Sequence, residues 1–522
     1  MPKLLDTLGF SENPFASYSA ENEPDIDSYF VRPPYYSFVD DRGRNSRSLV
    51  LFGARGAGKS ATRLTIFKET WRQVSNNARG PLVVSVDDFS RVLAEGPAKV
   101  DLGKFLLEVG FVVTESLLLW LSGLEDADRD TFLQALDPNE ERAAIALVER
   151  FYLTRPEFVR NASLREPLKL LNQAWAKRTA LWISMKWDSV AGLVSKIAQG
   201  LIKKATAGTI DVGDSLGPLL ASPQSAWNEL QYARAILIKL VDLAKQFGFS
   251  GLVIQVDKAD ETQHTTNSAA ATAALIYPLV ANVQLLEIED CGWQFYLWDK
   301  VRDEYTSDRM PVRLDKIPNA TIAWDESFLT SLIERRLDHF SRGAVATFGA
   351  LCDSAVDADS VLMEAVRLAM RSPRELIRAL DTVLREHDEQ FASQPKPPKL
   401  QIETLERGLD KYSVEAMRRM FERIDLQQIA KLRQITFINH DVQQAFRIND
   451  QSARNRIRRW TDAGIVAHTG TRAVEGSVGG KPSYEYSVVD HRIKRMLARQ
   501  LSLGPDFDDF DVANDDEPSG PK

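Results

Sequence analysis

The stretch SLVLFGARGAGKS (residues 48–60) joins an apolar segment to a glycine-rich turn, and its last eight residues fit the pattern GxxxxGK[ST] at every specified position. Glycines in such a turn let successive backbone N–H groups face phosphates, and a helix that begins there adds its positive dipole end. Lys59 can then reach the β- and γ-phosphates, and the Ser60 hydroxyl can ligate Mg²⁺. We therefore predict a strand, a phosphate-binding loop and a helix, with ATP and Mg²⁺ as cofactors; the alternative is a glycine-rich turn without a ligand. The predicted ATP-binding residues are Gly53, Ala54, Arg55, Gly56, Ala57, Gly58, Lys59, Ser60 and Ala61.

A second apolar run, residues 252–256, is followed by a group of carboxylates. Asp257 comes directly after the run and is the predicted metal ligand beside Ser60, because a phosphate-binding loop needs a carboxylate at the end of another strand. Hydrolysis also needs a group that positions or deprotonates water near the γ-phosphate. Glu261 is our first choice for that catalytic role because its side chain is longer than that of Asp260, which remains the second choice. The competing interpretation is an exposed acidic turn.

Charge is unevenly distributed along the chain, whose net charge is −8. Residues 411–500 carry 17 Lys and Arg against 9 Asp and Glu, whereas residues 501–522 carry seven acids and one Lys. A basic module on an acidic body favours the binding of a polyanion near the C-terminal end. Within the module, two short helices (440–447 and 451–463) precede a hairpin around the glycine-rich segment 469–482. This pattern predicts a winged helix-turn-helix.

The second of these helices is the predicted recognition helix. Ala453, Ile457 and Trp460 follow i, i+4, i+7 spacing and are expected to face the core. The opposite face and the wing would contact duplex DNA, because arginine can bond guanine or phosphate and asparagine can bond adenine. The predicted DNA-binding residues are Ser452, Asn455, Arg456, Arg458, Arg459, Arg472 and Lys481. The alternative is a winged helix that makes protein contacts or only packs.

Together with residues 372–376 (SPREL), the two phosphate-site motifs resemble Walker A, Walker B and sensor 2 of the AAA+/STAND branch of P-loop ATPases. The added winged helix resembles initiator or origin-recognition-type ATPases, and residues 9–15 (GFSENPF) resemble a bacterial P-loop ATPase family of unassigned role. The resemblance implies ATP hydrolysis and self-association on ATP binding. It also carries an expectation of a role in mobile-element or phage-defence loci, which no residue demonstrates.

The resemblance further implies roles for residues outside the two motifs. Asp299, which follows the apolar run 294–298, matches a sensor 1 position, and Arg374 matches the sensor 2 arginine. An arginine finger would come from a neighbouring protomer, and the candidates are Arg302, Arg309, Arg335 and Arg336. The chain departs from the family pattern at Lys258, where a second carboxylate is expected directly after the Walker B aspartate. This departure concerns turnover rather than nucleotide binding.

The expected fold is α/β, with a P-loop sheet core, a large helical insertion and lid, and a small winged helix-turn-helix domain. We predict five segments: a loop-like lead (1–48), the ATPase domain (49–390), a proline-rich linker (391–410), the winged helix-turn-helix (411–500) and an acidic disordered tail (501–522). The ATPase domain would include the insertion at about 100–246 and the lid at about 325–388. Apolar faces of the insertion would form its own core or contact a partner.

Composition narrows the class of protein further. Two cysteines exclude a disulfide framework, six scattered histidines show no metal-ligand spacing, and the N-terminus lacks a secretory pattern. We therefore expect a cytoplasmic protein without a membrane segment. The predicted function is an ATP-binding and ATP-hydrolysing switch that binds duplex DNA. The alternatives are a STAND-like signalling ATPase, whose winged helix and insertion contact proteins, and a nucleotide-binding scaffold without turnover.

Overall fold

The computed structural model describes residues 3–23, 25–75, 80–124, 126–136, 138–156, 159–160, 229–472 and 483–504. The chain divides into two compact units. We call them the sheet unit (Ser19–Ala323) and the helical unit (Met1–Tyr18 with Trp324–Lys522).

The described part of the sheet unit contains five strands and ten α-helices. The strands are β1 (Leu49–Gly53), β2 (Leu82–Val86), β3 (Leu252–Val256), β4 (Cys291–Trp298) and β5 (Asn319–Thr321). The helices are α2 (Ile26–Tyr29), α3 (Pro34–Arg44), α4 (Lys59–Ser75), α5 (Leu102–Ser122), α6 (Asp126–Ala135), α7 (Pro138–Leu147), α8 (Glu229–Gln246), α9 (Ala269–Val280), α10 (Val283–Leu286) and α11 (Val301–Tyr305); α1 belongs to the helical unit. A short π-helical segment, Val148–Leu153, follows α7.

The five strands form one parallel sheet in the order β2-β3-β4-β1-β5. Strands β1 and β3 are buried along their whole length, which explains why they are almost entirely apolar rather than alternating, with Gln255 of β3 as the polar exception. The sequence predicted β1 to β4. It missed β5, whose three residues, NAT, are neither apolar nor long enough to form a pattern.

Helix α5 is long and strongly apolar. By length and composition it could cross a membrane, but 83% of its most apolar window is buried inside the protein. It packs against β2 and α8, and its side chains Phe105, Leu106, Val109, Val113 and Leu117 belong to the core of the sheet unit. In the described part of the insertion, these apolar faces therefore form an internal core. Residues 161–228 of the insertion lie outside the described residues.

The lead segment differs from the predicted loop. Helix α3 begins with Pro34 at its first position, where a missing N–H costs nothing, so the Pro-Pro pair starts a helix instead of breaking one. The segment is also divided between the units after Tyr18. Residues before that point are tied to the helical unit, where the side chains of Asn13 and Tyr18 donate hydrogen bonds to Asp381.

The helical unit contains α1 (Leu4–Thr7), α12 (Glu326–Phe340), α13 (Ala358–Leu368), α14 (Pro373–Gln390), α15 (Ile402–Met420), α16 (Arg423–Leu432), α17 (Asn439–Phe446), α18 (Asp450–Asp462) and α19 (His491–Arg499). The predicted lid at about 325–388 corresponds to α12, α13 and α14. The continuous helical pattern over 355–388 is in fact two helices, because Met370 and Arg371 have left-handed backbone conformations and Pro373 starts α14.

The proline-rich segment before α15 is docked against the lid. Leu400 forms a parallel bridge with Cys352, and the His387 ring nitrogen lies 2.9 Å from the Pro398 carbonyl oxygen. Helix α15 begins at Ile402, inside the predicted linker, and packs along α14. The compact units do not divide at residue 391, so the lid and the winged helix belong to one unit.

The C-terminal module has the predicted helix-turn-helix and hairpin. Its antiparallel sheet has the order β6-β8-β7, with β6 (Thr436–Ile438), β7 (Val466–Arg472) and β8 (Ser483–Val488). Its core contains the predicted inward residues Ala453, Ile457 and Trp460. The predicted α/β fold, a P-loop sheet core followed by a small winged helix, is confirmed. The tail from residue 505 lies outside the described residues.

The close approach of α14 and α15 leads to the first prediction. A Cβ atom at Gly408 would lie 2.7 Å from the Val383 Cα atom, a distance that requires the two helices to separate. Gly408→Leu should therefore lower the free energy of unfolding of the helical unit by about 2 kcal/mol or more, despite a gain of about 1 kcal/mol in helix propensity. Denaturant unfolding measures this. The control is Gly470→Ala, where an added Cβ meets no atom within 4 Å; equal stability of the two variants would contradict the packing.

Candidate functional site

The loop between β1 and α4 has the conformation that its glycines were predicted to allow. Gly56 and Gly58 have φ angles of +79° and +95°, a region that glycine enters without steric cost. Helix α4 begins at Lys59, so its first N–H groups open onto the loop. The Lys59 ammonium donates to the carbonyl oxygens of Gly53 (2.8 Å) and Ala54 (3.2 Å), which holds it over the loop.

The carboxyl ends of parallel strands lie at one edge of a sheet, and here that edge collects the predicted residues. Asp299 follows β4, and its backbone N–H donates to the Gly53 carbonyl oxygen at 3.2 Å. Asp257 follows β3, the other neighbour of β4, and is almost fully buried. The sheet therefore brings the loop, Asp257 and Asp299 to the same edge.

Asp257 is bound by a residue that the sequence analysis missed. The Arg63 Nε atom donates to Asp257 Oδ2 at 3.0 Å, and the Lys258 backbone N–H donates to Asp257 Oδ1 at 2.9 Å. Arg63 lies one turn after Ser60 on α4, so the two side chains are neighbours on one helix face. The i, i+3 spacing from Ser60 was the only sequence signal for this arginine.

Lys258 occupies the place where the family pattern has a second carboxylate. Its backbone is left-handed, with φ of +60°, an uncommon conformation for a residue with a Cβ. Its ammonium pairs with Glu21 at 2.9 Å. Burial opposes ionisation of Glu21, but hydrogen bonds from Ser19 and Lys258 lower its pKa to about 2. The turn at Lys258 leads to the next two carboxylates.

Asp260 and Glu261 have different surroundings. Asp260 is buried and pairs with the loop residue Arg55, whose Nε lies 3.1 Å from Asp260 Oδ2 and whose guanidinium stacks over Trp298. Glu261 is exposed, although loss of solvent around its carboxylate and then the negative charges of Asp260 and Asp257 raise its pKa. A raised pKa increases the proton affinity of a carboxylate, whereas Asp260 is held in its ion pair with Arg55. This difference favours Glu261 for the catalytic role, which remains a prediction.

The oxygen ligands at the carboxyl edge of the sheet suit Mg²⁺ when phosphate is also present. Ser60 and Asp257 supply a hydroxyl and a carboxylate, and each Asp257 oxygen keeps a lone pair beyond the one bond that it accepts. Among the described residues, no group of three or more His, Cys, Asp or Glu could hold a metal without other ligands. Mg²⁺ is commonly held by one or two protein ligands together with phosphates. The residues therefore fit a metal that arrives with a nucleotide.

The arginines predicted as sensor or finger differ in their contacts and burial. Arg302 donates to Asn319 and Thr321 and lies over the Phe52 ring, all within the sheet unit. In the helical unit, the Arg374 Nε donates to the Tyr18 carbonyl oxygen at 3.1 Å.

Arg336 is wrong as a finger candidate, because it is buried and its Nε donates to the Pro14 carbonyl oxygen at 2.7 Å. Arg309 and Arg335 are exposed.

The predicted DNA-binding residues require three corrections, two on the predicted recognition helix α18 and one on β7. Arg456 is buried, and its guanidinium lies 4.3 Å from the centre of the Phe446 ring. Arg459 donates to Asp425 and Gln428 of α16, both at 2.6 Å. Arg472 on β7 pairs with Glu485 at 2.6 Å and lies 3.7 Å from Asp441.

The two corrections on α18 follow from rotation about the helix axis. At 100° per residue, Arg456 lies on the side of the core and Arg459 on the flank that meets α16. The exposed face consists of Gln451, Arg454, Asn455 and Arg458, which follow i, i+3, i+4, i+7 spacing. Arg454 was missed although it shares this spacing. Ser452 supplies a backbone N–H to the Asn449 cap, and Lys481 lies outside the described residues.

Comparisons with known proteins add structural likenesses. No protein-family model matches the chain, and no curated protein matches it. The ORC2 protein of Aeropyrum pernix, in ADPNP–ADP complexes, is 10% identical over 94% of this chain and 99% of its own, with a TM-score of 0.42. ORC1 of Aeropyrum pernix in complex with DNA is 10% identical over 93% and 98%, with a TM-score of 0.36. Cdc6p of Pyrobaculum aerophilum is 9% identical over 92% and 99%, with a TM-score of 0.31.

The difference between Arg458 and Arg459 gives a stability prediction. Arg459→Ala leaves Asp425, which is almost fully buried, without its ion-pair partner, so we expect a loss of about 1–3 kcal/mol in the free energy of unfolding. Arg458 has a side chain that is 83% exposed, so Arg458→Ala should change stability by no more than about 0.5 kcal/mol. Urea unfolding of both variants distinguishes them. A loss from Arg458→Ala equal to that from Arg459→Ala would contradict the assigned contacts.

Proposed function

We propose that the protein is an ATP-hydrolysing switch that binds duplex DNA through its winged helix. The observation that carries the proposal is the meeting of the Gly53–Ser60 loop with Asp257 and Asp299 at one sheet edge. This arrangement supports phosphate binding next to a carboxylate that can take part in metal binding. The coupling to DNA rests on the construction of the helical unit.

At the phosphate site, the proposed role of the loop is to bind ATP. The N–H groups of the loop and the first turn of α4 surround the β- and γ-phosphates, and Lys59 transfers its hydrogen bonds from loop carbonyls to phosphate oxygens. Ser60 and Asp257 would hold Mg²⁺, which supplies charge stabilisation to the phosphates when bound.

Glu261 would then orient a water molecule and accept its proton as the water oxygen attacks the γ-phosphorus and the bond to ADP breaks. Asp299, at the end of β4, would orient the polar groups around the γ-phosphate at the carboxyl edge of the sheet. Arg374 is proposed to contact the γ-phosphate, and the ATP-bound form is proposed to self-associate. An arginine finger would then come from an exposed arginine such as Arg309.

A chain of ion pairs supports transmission from the lid to the winged helix. Glu375, directly after Arg374 on α14, is buried and accepts bonds from Tyr412 (3.1 Å) and Arg419 (2.6 Å), both on α15. Helix α15 is joined in turn to α19, because Arg495 donates to Asp410 at 2.7 Å. A displacement of Arg374 would therefore move the winged helix with the lid.

The exposed face of α18 supports DNA binding. It presents two arginines and an asparagine without the apolar side chains that a packing face needs. Arg454 pairs only with Asp450 of the same helix among described residues, and Arg458 lies 3.8 Å from Asp462. Such exposed pairs contribute little, so phosphate or guanine can replace them.

The internal pairing of Arg459 and Arg472 favours a second candidate function. It reduces the positive charge that the module offers to DNA and leaves a surface with mixed charges. A STAND-like signalling ATPase, in which the module and the helical insertion contact protein partners, would use such a surface. The DNA test below separates the two functions.

The first functional prediction concerns the water-positioning carboxylate. Glu261→Gln should keep ATP affinity within about twofold and lower the hydrolysis rate by at least about a hundredfold, as expected for loss of a general base. Calorimetry with ATP and a phosphate-release assay measure the two effects.

The matched variants for this experiment are Asp260→Asn and Lys59→Ala. Asp260→Asn tests the second choice, and Lys59→Ala should lose ATP binding while the fold is kept. If Glu261→Gln hydrolyses ATP normally and Asp260→Asn does not, Asp260 rather than Glu261 is the carboxylate that positions the water. Wild-type ATP binding by Lys59→Ala would remove the loop assignment.

The second functional prediction concerns DNA. Arg454→Ala/Arg458→Ala should weaken binding to a mixed-sequence duplex by about tenfold or more, and each lost phosphate contact should reduce the slope of log K against log salt by about one. Fluorescence anisotropy at several salt concentrations measures both. The control is Arg367→Ala, an exposed arginine on α13. A loss of DNA binding by the control equal to that of the double variant, or no loss in either, would favour the signalling function.

A further inference from the structure

Arg63 lies at the centre of a buried group of charges beside the phosphate loop. Its side chain is 2% exposed. Besides Asp257, its guanidinium contacts Ser85 Oγ at 3.0 Å, Asp87 at 3.4 Å and Glu21 at 3.7 Å. One arginine on α4 therefore connects the ends of β2 and β3 with the segment before α2.

The charges around Arg63 are not matched one to one. Three carboxylates share this guanidinium, and Lys258 adds a second cation that contacts Glu21 at 2.9 Å and Asp87 at 3.9 Å. Burial works against the charged arginine, but the three carboxylates raise the pKa of Arg63. Asp87 and Glu21 also interact with the Arg63 guanidinium, so its positive charge is shared among three carboxylates. Arg63 therefore orients Asp257 without neutralising the negative charge of Asp257.

A layer of buried polar side chains in the sheet holds the Arg63 guanidinium in place. Ser85 Oγ donates to Gln255 Oε1 at 3.3 Å, and Gln255 Nε2 donates to Gln294 Oε1 at 3.1 Å. Both glutamines are fully buried in the middle of the sheet. Such a hydrogen-bonded layer is costly to rearrange, so the guanidinium has a defined position relative to Asp257.

We propose that Arg63 is the positioning residue of the metal site, and that Asp87 retains the negative charge of Asp257 by sharing the Arg63 guanidinium. The proposal rests on the proposed binding of ATP with Mg²⁺, because the carboxylate that Arg63 orients is the proposed ligand. Arg63 touches neither nucleotide nor metal in this role. It acts through Asp257, as outer-shell partners of metal ligands do.

Two variants test the proposal in different ways. Arg63→Lys keeps the charge but has one nitrogen in place of a fork, so it cannot bond Asp257, Ser85 and Asp87 together. Asp87→Asn leaves Arg63 in place but removes one of the carboxylates that share its charge, so the Arg63 guanidinium neutralises more of the Asp257 charge. Asp88→Asn is the matched control, because Asp88 is exposed and lies one residue further along.

The measured quantity is the metal concentration that half-saturates the protein in complex with a non-hydrolysable ATP analogue. For Mn²⁺ it is measured from the loss of the free-ion signal in electron paramagnetic resonance, and for Mg²⁺ from competition with Mn²⁺. Arg63→Lys should raise it about 10- to 100-fold, the usual effect of losing an outer-shell partner, and Asp87→Asn about threefold or more. Asp88→Asn should leave it unchanged. Nucleotide affinity without metal should stay within about twofold in all three, because Lys59 and the loop are intact.

The outcomes separate this proposal from the proposed function. If the wild type binds no nucleotide, the proposed function fails and the proposal fails with it. If the wild type binds nucleotide and metal but Arg63→Lys and Asp87→Asn match Asp88→Asn, the positioning role alone is overturned. If Arg63→Lys does not fold, Asp87→Asn decides, since Asp87 is partly exposed and its variant is expected to fold.

Discussion

The ion pair between Arg63 and Asp257 joins helix α4, which begins at the phosphate loop, to the end of strand β3. Arg63 belongs to the helix that begins at the loop, and Asp257 ends the strand two places from β1 in the sheet. Removing one partner of a buried pair of this kind costs about 3–5 kcal/mol, because the other charge stays buried and unpaired. The pair therefore holds the Asp257 carboxylate beside the first turns of α4.

The helical unit links the lid to the winged helix through buried contacts. Buried bonds from Glu375 and Arg495 join α14, α15 and α19, and Gly408 allows α14 and α15 to approach closely. The segment with three prolines is docked by Leu400 and does not act as a flexible tether. In the proposed switch, this rigidity is what carries nucleotide state to DNA.

The parts that the sequence predicted well have strong local patterns. Strands β1 and β3 are almost entirely apolar, and the glycines of the Gly53–Ser60 loop allow its left-handed turns. The hairpin of the winged helix was also predicted, since turn residues mark its ends. By contrast, β5 is three residues long, and α3 begins at a Pro-Pro pair that is more typical of a loop.

Side-chain partners were the less predictable part. The contacts of Arg63 exist only because β2, β3 and residue Glu21 meet it in space, and its i, i+3 spacing from Ser60 does not reveal them. On α18 the core residues were predicted correctly, yet an error of a fraction of a turn placed Arg459 on the DNA face. Its true partner, Asp425, lies 34 residues earlier in the chain.

The central claim is that nucleotide and DNA binding are coupled through the helical unit, and thermodynamic linkage tests it directly. Duplex affinity would be measured with and without a saturating non-hydrolysable ATP analogue and Mg²⁺, and analogue affinity with and without saturating duplex. Coupling predicts that both affinities change by the same factor, about fivefold or more. If the protein binds both ligands and neither affinity changes, nucleotide and DNA bind independently, and the proposed switch mechanism is contradicted.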